Sequence, residues 1–301
     1  MQANTMRVRQ GIRSAALLLF IWAAMHLVAA EPVAYDHKET RDLVAFVQAA
    51  ADAVAKNGEA VFPAFRKKGG KWFHGNRYVF VWDLKGNRYV YPPDPAHERQ
   101  NLIGLKDIGG KPIGRMFVDA AKSKAGKGWV HYQWNRPGET APVWKSTYIV
   151  RSVAPSGKVY LVGSGDYRSV MEKAFLVDEV DAAVALLKKE GKAAFKTLRD
   201  KKSRFYFHDI YVFVTSASGI ELVNPAFPAL EGRNVLTITD VNEKAVAREY
   251  IDLAMTKSEG WVSYFWPRPR VPEVPIKKIT YVKKVVVEGE PLIVGAGMYE
   301  Q

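Results

Sequence analysis

The strongest constraint on what this chain can become is that it is written twice. Gly128-Trp129-Val130-His131-Tyr132-Gln133-Trp134 returns as Gly260-Trp261-Val262-Ser263-Tyr264-Phe265-Trp266, 132 residues later. Tyr78-Val79-Phe80-Val81 returns as Tyr211-Val212-Phe213-Val214, and Lys145-x-Thr147-Tyr148 as Lys278-x-Thr280-Tyr281, both 133 apart. Val162-Gly163-x-Gly165-x-Tyr167 returns as Val294-Gly295-x-Gly297-x-Tyr299, 132 apart. Ordered matches at a nearly constant offset mark a duplication, and a unit this long is a domain rather than a solenoid repeat. Two copies of one fold therefore stand in tandem.

Each copy can be read for its elements. From Asp42 onward Leu43, Val44, Phe46, Val47, Ala50, Ala51 and Val54 keep helical spacing, and Gly58 ends the run. Val170, Phe175, Leu176, Val180, Ala183, Val184 and Leu187 do the same in copy two, ending at Gly191. A short second helix is expected at Ala60 to Lys67 and at Ala193 to Lys201. Tyr78 to Asp83, a turn through Leu84-Lys85-Gly86-Asn87, and Arg88 to Tyr91 read as a β-hairpin, matched by a turn at Ser216 to Gly219 and a return from Ile220 to Val223. Proline-containing loops follow, then helices carrying Phe117, Val118, Ala120 and Ala121, or Tyr250, Ile251, Leu253 and Ala254. Three strands close each unit: 129–134, 146–152 and 159–164 in copy one, and 261–266, 280–287 and 291–295 in copy two. Helices segregated from an antiparallel sheet make an α+β domain. The expected units are 38–167 and 168–301.

The first 30 residues combine Arg7, Arg9 and Arg13 with an apolar run from Ala15 to Met25 and the small residues Val28-Ala29-Ala30. This is the pattern of a cleaved export signal; an uncleaved inner-membrane anchor is the alternative. Removing three Arg and no acid lowers the formal charge from +13 to +10. The lysines are spread through both copies without a block, which describes a solvated surface, so no nucleic-acid partner is expected. A chain of 301 residues without cysteine suits a periplasmic protein that relies on its cores rather than on disulfides.

The Tyr-x-Phe-Val strand, Asp83-x-x-Gly86, the proline after the second strand, Gly-Trp-Val-x-Tyr-x-Trp, Lys-x-x-Tyr and Val-Gly-x-Gly-x-Tyr together resemble the Cache domain, especially its single-Cache type 2 form. The resemblance covers nearly all of 38–300, once per copy. It implies a PAS-like five-stranded antiparallel sheet with a long N-terminal helix and a small-molecule pocket beside the proline-containing loop. It also implies an extracytoplasmic sensor, often of small organic acids, working in chemotaxis or signal transduction. The sequence departs from receptors of that family in showing neither a second span nor a cytoplasmic signalling region, so a membrane receptor or histidine kinase is the expected partner. Copy two departs locally, with Thr215-Ser216-Ala217-Ser218 where copy one has Trp82-Asp83-Leu84-Lys85.

A carboxylate pocket needs a fixed positive charge, donors and an aromatic wall that excludes water. Lys145 with Tyr148 and Trp134, and Lys278 with Tyr281 and Trp266, offer those groups. Tyr91 and Asn224 stand where the resemblance places the loop edge of each pocket. Trp129, Trp261, Tyr132 and Tyr264 read as sheet core, Arg115 and Arg248 as exposed helix charges, and the lysines equally as strand ends. His74 and His208 fall out of register between the copies, and no metal-ligand spacing emerges. Gly163-Ser164-Gly165 lacks the third glycine and following helix of a dinucleotide loop and reads as a strand end. Neither cofactor nor catalysis is expected. The leading expectation is a periplasmic protein binding a small anionic metabolite, a short carboxylate, and presenting the bound state to a partner. The alternative is an N-terminally anchored or receptor-associated interaction module with degenerate pockets.

Overall fold

The computed structural model describes residues 34–167, 170–269 and 271–300. The expected export signal, residues 1–30, lies outside them. Copy one runs α1 (Lys38–Asn57), α2 (Phe62–Arg66), β1 (Phe73–His74), β2 (Arg77–Tyr78), β3 (Phe80–Asp83), β4 (Arg88–Val90), α3 (Ile113–Lys122), β5 (Lys127–Asn135), β6 (Pro142–Val153) and β7 (Val159–Asp166). Copy two runs α4 (Lys173–Glu190), α5 (Phe195–Arg199), β8 (Tyr206–Phe207), β9 (Ile210–Ser216), β10 (Glu221–Val223), α6 (Val246–Lys257), β11 (Glu259–Arg268), β12 (Val271–Val287) and β13 (Glu290–Tyr299).

The two sheets are antiparallel and have the same strand order. The first is β4-β3-β7-β6-β5, and the second is β10-β9-β13-β12-β11. The fold is α+β, as the duplication and helix-then-strand order require. Copy two adds a sixth strand, because β8 pairs with β9, where in copy one β1 and β2 form a small sheet of their own.

The long helices form as their apolar spacing dictates. In α1, Leu43, Val47, Ala50, Ala51 and Val54 are buried; in α4, Phe175, Leu176, Val180, Ala183, Val184 and Leu187 are. Gly58 and Gly191 close them with φ of +58° and +60°, a region open to glycine at little cost. The helix-covered sheet faces of the two copies merge into one apolar cluster. At the junction Trp129 packs on Phe175 at 4.8 Å, and His131 stacks on Phe207 at 4.0 Å between ring centres. Lys111 crosses from copy one to donate to the Ser203 and Tyr206 carbonyls, both at 2.6 Å.

Each sheet's other face carries a separate core beneath α3 or α6 and the proline-containing loop. Several strands extend further than sequence periodicity indicates; β13 runs on to Tyr299, and β6 and β12 begin early. β6 starts at Pro142 and β12 at Val271, because both extensions pair on one side only, with β5 and β11 respectively. An unpaired side tolerates proline, which has no N–H to donate. The Gly163-Ser164-Gly165 segment likewise lies inside β7, which continues to Asp166. A Cβ on Gly165 would meet Thr147 Oγ1 at 2.3 Å and Lys145 Cε at 2.7 Å. On Gly297 it would meet Thr280 Oγ1 at 2.3 Å and Lys278 Cε at 2.5 Å. The repeated glycine therefore makes room for the repeated lysine. Among the described residues no helix is long and apolar enough to cross a membrane.

Candidate functional site

Alternation along the strands sends Tyr78, Phe80 and Trp82 to the sheet face under α3, together with Val130, Tyr132 and Trp134 from β5. These rings do not close completely. A cavity of about 30 Å³ remains, bordered by Tyr78, Trp82, Arg88, Tyr91, Phe117, Tyr132 and Trp134 among others. The volume holds little more than solvent.

Two buried donor side chains, Trp82 and Arg88, stand in its wall. Trp82 is 2 % exposed, and its Nε1 has no hydrogen-bond partner among the described residues. Arg88, directly opposite it in the β3–β4 register, is 8 % exposed. Its Nε and one terminal nitrogen donate to the His97 carbonyl, and its guanidinium lies 4.2 Å from the Tyr91 ring centre. Among the described residues no carboxylate forms an ion pair with it: nearby Glu98 pairs with Arg66 at 2.8 Å and Asp94 with His97. Burial pulls the Arg88 pKa below its ordinary value, against the opposing influence of the Asp94 and Glu98 carboxylates.

The equivalent cavity in copy two, also about 30 Å³, is bordered by Tyr211, Phe213, Glu221, Asn224, Tyr250, Tyr264 and Trp266 among others. Arg88 is here Glu221, 3 % exposed. Opposite it, in place of Trp82, stands Thr215. Thr215 Oγ1 donates to Glu221 at 2.7 Å, and so does Asn224 Nδ2, the residue in place of Tyr91. Burial is the largest influence on Glu221, pushing it up to about 7.

The expected site residues divide by strand parity and depth. Trp134 and Tyr91 border the first cavity, and Trp266 and Asn224 the second. Tyr148 and Tyr281 do not join them. One residue past Thr147 and Thr280, they point to the helix-covered face and pack on Trp129 at 4.9 Å and Trp261 at 5.1 Å. Lys145 and Lys278 are on the cavity side but behind its wall, 2 % and 0 % exposed. Lys145 Nζ donates to the Tyr78 and Tyr167 hydroxyls, each at 3.1 Å, and Lys278 Nζ to Tyr211 at 2.9 Å. Burial lowers both lysines to about 7. Neither is a strand-end charge. The cavity charges belong to Arg88 and Glu221, which pattern reading passed over. Aligning the copies at the 133-residue offset would have exposed the reversal.

Residues 48–175 match the family model described as Single Cache domain 2, and residues 182–301 the model described as Cache domain. The chain belongs to the Cache family. The chain is 31% identical over 108 residues to the methyl-accepting chemotaxis protein McpP of Pseudomonas putida. That alignment covers 36% of this chain and 18% of McpP, so the chain spans less than a fifth of its curated relative. Similar solved structures include one described as showing the structural basis for carboxylic acid recognition by a Cache chemosensory domain. It is 28% identical, covers 40% of this chain and 88% of the other, and has a TM-score of 0.35. A methyl-accepting chemotaxis protein from Vibrio parahaemolyticus is 23% identical, over 41% of this chain and 85% of the other, with a TM-score of 0.35.

Proposed function

We propose that the first Cache unit is a sensor site for a small monocarboxylate, and that the chain is a periplasmic protein reporting occupancy to a membrane receptor or histidine kinase in chemotaxis. The observation that carries the ligand class is the facing pair of Arg88, whose guanidinium bonds the His97 carbonyl but no carboxylate, and Trp82, whose indole N–H has no acceptor among the described residues. A buried cation and a buried N–H each cost free energy until an acceptor reaches them, and one carboxylate supplies two oxygens. The small cavity favours acids of about two or three carbons, with modest movement of the loop over the site to admit them.

Tyr91 and Trp134 then form the aromatic wall that excludes water and strengthens the charged bonds. Lys145 acts from behind, holding Tyr78 in place. The chemotactic role is supported by the likeness to McpP over 108 residues. The N-terminal pattern of basic, apolar and small residues supports export.

Calorimetry with sodium propionate tests the site. Wild type should bind, and Arg88→Met should lose about 10- to 150-fold in affinity, the equivalent of roughly 1.5–3 kcal/mol for a charged hydrogen bond. Unchanged affinity in Arg88→Met, with the circular dichroism of the fold intact, would sink the assignment.

A further inference from the structure

Three of the differences between the two sites fit one another. Arg88, Trp82 and Tyr91 of copy one correspond to Glu221, Thr215 and Asn224 of copy two. An arginine facing an indole N–H, with a ring beneath its guanidinium, presents donors and positive charge. A glutamate receiving one bond from Thr215 and one from Asn224 presents a carboxylate whose orientation is fixed. Each carboxylate oxygen accepts only one of these bonds, so each keeps a lone pair for another donor.

Three rings of the wall are kept. Tyr211, Tyr264 and Trp266 repeat Tyr78, Tyr132 and Trp134, while Tyr250 replaces Phe117. Five rings, counting Phe213, surround a buried carboxylate that has no ion-pair partner among the described residues. Leu230, Val235, Ile238, Val246 and Ala247 line the rest of this cavity, so the rings stand beside an aliphatic side while the charge is reversed. Lys278, the nearest buried cation, stays behind Tyr211 and does not border the cavity.

We propose that the second Cache unit takes a small alkylammonium, its N–H groups on Glu221 and its alkyl part among the rings. An ammonium is the ligand that satisfies both features, since it bonds to the carboxylate and is attracted to the negative faces of aromatic rings. A carboxylate would face Glu221 at close range and be repelled. The proposal stands on the copy-two residues alone and does not depend on propionate binding in copy one.

The matched pair propylammonium chloride and sodium propionate, nearly equal in size and opposite in charge, separates the sites by calorimetry on the full chain. Propylammonium should bind once per chain. Its affinity should fall at least about tenfold in Glu221→Gln and in Trp266→Ala and stay unchanged in Arg88→Met. Propionate should show the reverse dependence on Arg88 and Glu221. Chemical-shift changes induced by propylammonium should reach the indole N–H of Trp266 and leave that of Trp82 still. The proposal is overturned if wild type does not bind propylammonium, if Glu221→Gln and Trp266→Ala bind it as tightly as wild type, or if propionate binds twice per chain. Loss of propionate binding alone would remove the carboxylate reading and leave this one intact.

Discussion

Replacing Glu221 with glutamine measures directly what burying an acid without a cation costs this fold. The side chain is 3 % exposed and faces the Thr215 hydroxyl, the Asn224 amide and the Tyr250 ring, with Glu231 and Lys278 acting at longer range. Its pKa is raised from 4.5 to about 7, chiefly by burial. The folded state therefore holds a proton that the unfolded chain has released. The stability this proton contributes is fully present below about pH 4.5 and is lost as pH rises through about 7. At about 1.4 kcal/mol per pH unit, the loss approaches roughly 3 kcal/mol. Glutamine is close to isosteric and can bond to Thr215 and Asn224 without titrating. Urea unfolding of both proteins from pH 4.5 to 7.5 should show a difference in unfolding free energy near zero at the acid end. By pH 7.5 it should grow to about 3 kcal/mol in favour of glutamine. Lys278, held down to about 7 by burial, loses its proton in the folded state only near the top of this window, and because both proteins carry it, its own slope largely cancels in the difference. A difference that stays flat with pH would mean that Glu221 is paired or hydrated in solution, and the account of a carboxylate short of counter-charge would fail.

The fold was legible because it is carried by local periodicity read twice. The stripe from Leu43 to Val54 and its copy from Phe175 to Leu187 could only be helices, and the five apolar runs after them only strands. The site was half legible. Trp134 and Trp266 share a strand face with Tyr132 and Tyr264 by simple alternation, and alternation also shows that Tyr148, an odd number of residues from Lys145, must face the other way. Proximity in the Lys-x-x-Tyr motif obscured that parity. The depth of Lys145 was not legible, because it depends on Gly165 of a neighbouring strand leaving room for the lysine stem. Arg88 was hidden for a different reason. It lies in a three-residue strand beside a turn, where an isolated arginine reads as surface charge until the register places it opposite Trp82.

Three further outcomes follow from the same geometry. If the N-terminal pattern is an export signal, mass spectrometry of the periplasmic protein should find Glu31 as the first residue, and retention of Met1 in a membrane fraction would favour the anchor. Gly165→Ala should destabilise the chain by at least about 1–3 kcal/mol in urea, because the new methyl would lie 2.3 Å from Thr147 Oγ1; an unchanged midpoint would show that the lysine stem can move aside. The last concerns Lys145 itself, whose ammonium meets the Tyr78 and Tyr167 hydroxyls at 3.1 Å and does not border the cavity. Tyr78 does border it, so removing the ammonium should loosen one wall without taking away a ligand contact. Tyr167 keeps its bond to the Asn135 carbonyl at 3.1 Å, so the strand ends stay joined. Lys145→Met should therefore weaken propionate by less than about tenfold, well short of the loss in Arg88→Met. Titrations of the two variants side by side decide between the lysine as support and the lysine as contact. An equal loss in both would put the ligand on the ammonium, behind the ring of Tyr78, and move the site one layer deeper into the sheet.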